Sequence, residues 1–172
     1  MFAPRRVLLP VVLAGACLCS ASPAQAAPQP RLSAAYSVSA SAVNATRALV
    51  FTVYNSDILT TVGFSFTLNL PAGITRPVTA PSSTCTDTTV SDTPPDPGGI
   101  IPPFRSAQAD TLYIDGILSN VALSCTITIP VTAAAQGTYT TCPGAIVDLV
   151  GTTTLDSCAP IYFEEPYAYR ED

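Results

Sequence analysis

The sequence predicts an all-β protein, folded as an antiparallel two-sheet sandwich. Three observations carry that prediction. Apolar residues alternate with small polar ones along several short runs, the period of a half-buried strand. Residues that build helices are scarce: there is no lysine, one methionine at position 1, and little glutamate before the C-terminal tail. Seventeen prolines and nine glycines punctuate the β runs as turns.

Residues 1–26 read as an export signal. Arg5 and Arg6 form a positive start, 7–19 is an apolar run, and Ala24-Gln25-Ala26 is an A-x-A cleavage site that leaves Ala27 as the new N-terminus. The run falls short of the ~20 residues that cross a membrane as a helix. Leu13-Ala14-Gly15-Ala16-Cys17 fits a lipobox only loosely, its Leu lying one place too far from Cys17. Arg5-Arg6-Val7-Leu8-Leu9 fits a twin-arginine signal equally loosely. Removing these 26 residues and their two arginines leaves 146 residues with a net charge of −7. A chain that long buries about two thirds of its unfolded surface, enough for one core without a metal. No later apolar run approaches 18 residues, so no membrane span is expected.

The strand signals follow in order. A weak run spans 34–42, with Tyr36 and Val38. Leu49, Phe51 and Val53 then alternate with Val50, Thr52 and Tyr54. Val62, Phe64, Phe66, Leu68 and Leu70 make a near-perfect run, closed by the turn Pro71-Ala72-Gly73. Residues 86–106 are expected to be a long exposed loop, because Pro94, Pro95, Pro97, Pro102 and Pro103 cannot donate to a ladder. A weaker strand signal covers 111–115. The second strong run takes Val121, Leu123, Cys125, Ile127, Ile129 and Val131 to one face. Ala133-Ala134-Ala135 is stopped by Gly137 and reads as a turn. Weaker runs at 136–141, 145–150 and 160–164 complete seven or eight strands, one domain over 27–165. Residues 166–172 form an acidic tail.

Composition excludes much chemistry. There is no histidine, hence no Ser-His-Asp or Cys-His catalysis and no HExxH zinc site. Without lysine there is no P-loop, Schiff base or lysine cross-link. The net charge of −5 opposes nucleic-acid binding. Cys17 and Cys19 leave with the signal, and Cys85, Cys125, Cys142 and Cys158 remain. An even number in an oxidising compartment reads as two disulfides, with three pairings open. No C-x-x-C spacing supports zinc.

Ordered along the chain, certain motifs resemble a known family. They are Tyr54-Asn55-Ser56-Asp57, Leu70-Pro71-Ala72-Gly73, Thr84-Cys85, Ser124-Cys125-Thr126-Ile127-Thr128 and Gly137-Thr138-Tyr139-Thr140. Together they resemble the DUF11-type Ig-like domain of bacterial surface and secreted proteins, over about residues 32–142. Two features depart from that pattern: family copies occur in tandem, and Thr141-Cys142 stands where an Asn is usual. The resemblance implies an Ig-like sandwich with Greek-key connections, stapled by Cys85–Cys125 and Cys142–Cys158. Cys125, on the same face as Val121, Leu123 and Ile127, needs a partner that reaches the interior. The resemblance also implies a structural or adhesion-related role at the cell envelope, and no catalysis.

Candidate sites are few. Asp92, Asp96, Asp110 and Asp115 carry hard oxygen ligands, but without the spacing of a calcium loop they read as solvated carboxylates. Paired carboxylates serve glycoside hydrolysis, though this chain is short for a sugar cleft. Tyr162, Tyr167 and Tyr169 read as packing, and Asn44-Ala45-Thr46 as a chance glycosylation sequon. In the 86–106 loop, Ile100, Ile101 and Phe104 are apolar beyond the needs of a solvated linker, and Arg105 is a loop cation. These four are the expected partner contacts. The sequence therefore reads as a secreted, non-catalytic structural or interaction module of the envelope, with no cofactor and no metal. The alternative is a dedicated ligand-binding module that takes a protein or a cell-wall glycan on the 86–106 loop.

Overall fold

The computed structural model describes residues 30–55, 60–94 and 110–165. The signal segment, the tail 166–172 and the expected contacts Ile100, Ile101, Phe104 and Arg105 lie outside the described residues.

Two sheets face each other. One is built from β1 (Arg31–Tyr36), β3 (Arg47–Tyr54) and β9 (Ser124–Ala133), with β5 (Ile74–Thr75) and β6 (Ser82–Ser83) both hydrogen-bonded to β9. The other has the order β11 (Ile146–Val150), β4 (Val62–Asn69), β8 (Thr111–Leu118), β7 (Thr86–Ser91). A third sheet of β10 (Gly137–Thr141), β12 (Ala159–Glu164) and β2 (Ala40–Ala42) flanks them. Strands adjacent in space are mostly distant in sequence: β3 pairs with β9 and β4 with β8, both antiparallel. The chain thus makes Greek-key crossings between sheets, and the fold is a disulfide-stapled Ig-like sandwich.

The period-two runs do the expected work. Leu49, Phe51 and Val53 of β3 are fully buried, as are Ile127, Ile129 and Val131 of β9. Phe64, Phe66 and Leu68 meet them from β4, and Leu112, Ile114 and Leu118 from β8. Phe51 and Phe66 touch across the layers with ring centroids 5.4 Å apart.

Several expectations are corrected. The 86–106 segment is not a loop from its start: Thr86–Ser91 forms β7 and pairs with β8. Its threonine-rich sequence is β-competent, and the prolines begin only at Pro94. The second strong run begins at Ser124, so Val121 and Leu123 stand 84% and 57% exposed; Cys125 shares its buried face with Ile127 and Ile129 instead. The 34–42 signal divides into β1 and β2. β2 joins β12 in parallel, so the sheets are not wholly antiparallel.

Two sequence motifs meet in space. Ile74 N–H donates to the Pro71 carbonyl at 2.9 Å, closing a turn with Gly73 at φ 90°. That left-handed conformation favours glycine. A Cβ on Gly73 would also lie 2.8 Å from Cε1 of Tyr139. Tyr139 covers the turn, donates to the Ala135 carbonyl at 2.9 Å and sets its edge against Phe163. The L-P-x-G turn and the G-x-Y strand are therefore one packing unit.

Cys85 bonds Cys125 and Cys142 bonds Cys158, with Cα separations of 4.9 and 4.1 Å. Cys85 lies between β6 and β7, where the chain crosses from one sheet to the other. Its bond to β9 holds that crossing shut.

Three outcomes follow from this packing. Gly73→Ala should cost about 1–3 kcal/mol in urea unfolding, from backbone strain and the Tyr139 ring together. In a Tyr139→Ala background the same change should cost less, because only the backbone share remains; equal costs would show that the ring does not contribute. Mild reductant should open Cys142–Cys158 before Cys85–Cys125, because Cys158 is exposed and Cys125 is buried. The chain-entropy model assigns the two closures about 3 and about 4 kcal/mol. Alkylation with mass spectrometry reads the order of opening. The third outcome concerns Tyr36, whose hydroxyl lies 2.9 Å from Thr141 Oγ1. Burial pushes the phenol above its ordinary value, and the bond to Thr141 pulls it back. The folded state thus favours the neutral phenol. Its contribution is intact below the ordinary tyrosine value of about 10 and is lost as pH rises through the folded value. Urea midpoints between pH 8 and 11 should fall less steeply in Tyr36→Phe.

Candidate functional site

The outer face of the four-stranded sheet carries a hollow of about 270 Å³. Its floor comes from strand alternation. On β4, Phe64, Phe66 and Leu68 point into the core, so Ser65 and Thr67 take the outer face. Tyr113 and Asp115 do the same on β8, and Thr89 and Ser91 on β7. The ladders align them in two rows: Ser65, Asp115 and Thr89 in one, Thr67, Tyr113 and Ser91 in the next.

The carboxylates are held in place. Thr89 Oγ1 donates to Asp115 Oδ1. Thr67 Oγ1 donates to Asp148 Oδ2 at 3.1 Å. Asp148 sits where the β11 register shifts between Val147 and Val150, and its φ is 52°. The bulge re-aims its side chain from the sheet edge toward Thr67.

The opposite wall is Thr93 and Pro94. Ser91 Oγ accepts from the Thr93 N–H at 3.1 Å and lies 3.0 Å from the Thr93 hydroxyl, so the chain turns immediately after β7. Beside it, Arg76 is buried. Burial pushes its guanidinium below the ordinary arginine value, and the Asp92 carboxylate opposes that shift.

The hollow offers apolar carbon from the Tyr113 ring, Pro94 and the threonine methyls, together with hydroxyls and two carboxylates. Among the described residues no arginine lines it. Among the described residues no three His, Cys, Asp or Glu side chains gather as a metal site.

Of the candidate site residues singled out from sequence that are described, only Asp115 lies in this hollow. Asp110 precedes β8, Asp92 faces Arg76, and Asp96 lies outside the described residues. Cys85, Cys125, Cys142 and Cys158 serve as staples. Sequence reasoning missed Tyr113, Asp148, Thr67 and Thr89. The available signal was the polar face of the β4 run together with aspartates inside two β runs, at 115 and 148.

No curated protein matches the chain. Among solved structures it is similar to a non-cellulosomal cohesin from the hyperthermophilic archaeon Archaeoglobus fulgidus. The TM-score is 0.48 at 6% identity, over 78% of this chain and 92% of that one. The motifs that resemble the DUF11-type domain do not receive that assignment; the family model that matches is a different one. It is described as Domain of unknown function (DUF7933) and matches residues 30–161, most of the chain, which therefore belongs to that family.

Proposed function

We propose that the chain is an exported, non-catalytic interaction module of the bacterial cell envelope, with an adhesion-related role. The observation that carries this reading is the preorganised hollow on the four-stranded sheet, set in a frame with two disulfides. A domain that only spaced its neighbours would not need two aspartates held by threonine hydroxyls on an outer face. Disulfides suit an oxidising compartment, which agrees with an export signal at 1–26 and a mature domain over 27–165. Catalysis lacks support from the chemistry present. The chain has no histidine or lysine to serve as a base, and Cys85, Cys125, Cys142 and Cys158 are all paired. The alternative in which the 86–106 segment forms the binding surface survives in altered form. Thr89, Ser91, Thr93 and Pro94 from that segment line the hollow.

The test is a sedimentation assay. Mature protein beginning at Ala27 is mixed with washed cell envelopes of the producing organism. Retention on the envelope, together with no turnover of glycosides, esters or peptides, is the expected result. Protein that remains in the supernatant, or turnover abolished by Asp115→Asn, overturns the reading.

A further inference from the structure

We infer that the hollow on the four-stranded sheet binds one ring of a neutral glycan, with Tyr113 as the stacking platform and Asp115 and Asp148 as hydroxyl acceptors. This inference rests on the interaction-module reading and names the ligand class of that site.

The chemistry of the lining selects the ligand by elimination. An anion is excluded first. Two carboxylates face the hollow, no arginine among the described residues lines it, and the chain has no lysine. A divalent cation wants six or more oxygen ligands, usually with several carboxylates converging. Here the two carboxylates come from β8 and β11, strands about 10 Å apart across the sheet, and among the described residues no third such ligand joins them. A guanidinium or ammonium group could meet the carboxylates, but it carries only donors. It would leave the donor capacity of the Ser65 hydroxyl idle.

A sugar ring uses the whole lining. Its hydroxyls donate and accept, as do the serine and threonine hydroxyls. Its C–H face is apolar and flat, which suits the Tyr113 ring. Asp115 and Asp148 line the same hollow from β8 and β11, so a ring seated between them can donate a hydroxyl to each. The volume of about 270 Å³ falls just below the ~300–1,000 Å³ of drug-sized pockets, the scale of a single ring. Neither carboxylate needs to be ordered on binding. Thr89 already holds Asp115 and Thr67 already holds Asp148, so little side-chain freedom is lost. The second oxygen of each carboxylate is left for the ligand.

Asp148→Asn is the sharpest probe. Asparagine tolerates the positive φ at this position and can still accept from Thr67, so the change removes charge and little else. Tyr113→Ala removes the platform.

The experiment titrates the mature protein by calorimetry with four neutral tetrasaccharides: cellotetraose, maltotetraose, mannotetraose and chitotetraose. Tetra-arginine peptide and calcium chloride serve as rival probes. Binding of at least one tetrasaccharide, weakened about tenfold or more by Asp148→Asn and by Tyr113→Ala with the thermal midpoint of Asp148→Asn unchanged, is the expected result. Sugar binding that both variants retain overturns the site. Response to tetra-arginine or calcium with none to the sugars overturns the ligand class. Retention on envelopes with no response to any of the four sugars overturns the glycan while leaving the interaction module standing. Sugar binding without envelope retention overturns the envelope role and leaves the glycan site.

Discussion

The register of β4 on β8 is the constraint on which both the core and the hollow depend. Phe66 pairs with Ile114 and Leu68 with Leu112, all facing inward. Between them Ser65 meets Asp115 and Thr67 meets Tyr113, facing out. A slip of one residue would bring Ser65 and Thr67 into the core and expose three large apolar side chains. At roughly 2 kcal/mol for each side chain kept from water, no outer-face interaction could compensate. Gly116, opposite Phe64, adds a steric lock. A Cβ there would lie 2.8 Å from Phe64 Cζ, so any larger residue would push the ring from its seat. The hydrophobic effect thus sets the alignment of the polar row, although that row contributes little to stability itself.

The Cys85–Cys125 bond extends this control to the third strand of the hollow. β7 lies at the edge of its sheet and carries Thr89 and Ser91. It contributes no fully buried large side chain, and Val90 packs only partly against the core. Burial alone therefore holds β7 less firmly than β4 or β8. Its N-terminal end is tied to β9 of the opposite sheet by the disulfide, and Thr84 reinforces the tie through its N–H to the Thr126 carbonyl at 2.9 Å. Its C-terminal end is turned by the bonds between Ser91 and Thr93. A covalent staple at one end and a hydrogen-bonded turn at the other stand in for the apolar packing that the strand lacks.

What could be read from the sequence divides along the same line. β3, β4 and β9 were legible because each has three or more apolar residues at period two, and in β4 and β9 the other face is largely polar. β5 and β6 are two residues each, too short for any period to register. β7 was obscured by the prolines that follow it, which belong to a different stretch of chain. The Gly73 turn was legible as a turn, but its contact with Tyr139 was not, because 66 positions separate them. The hollow was hidden for a related reason. Asp148 bonds a threonine 81 residues away, and Tyr113 meets Thr67 only through a ladder. Individually these are ordinary polar positions on strands. Only the registers of β11 and β7 on their neighbours make them one surface.

That surface is recessed because both outer strands are irregular. β11 shifts register between Val147 and Val150, and β7 shifts between Thr86 and Thr89. Bulges increase local twist and bend the strand that carries them. An irregular strand thus lies on each side of the regular β4–β8 pair that floors the hollow. The same irregularity interrupts the row of backbone donors and acceptors that an edge strand offers to other chains. The exposed Val147 and Val150 beside the β11 bulge would otherwise form a flat apolar edge, open to pairing with another chain. One local departure from the ladder therefore blunts that edge and re-aims Asp148 toward Thr67. The device that limits unwanted strand pairing and the device that shapes the hollow are the same residues.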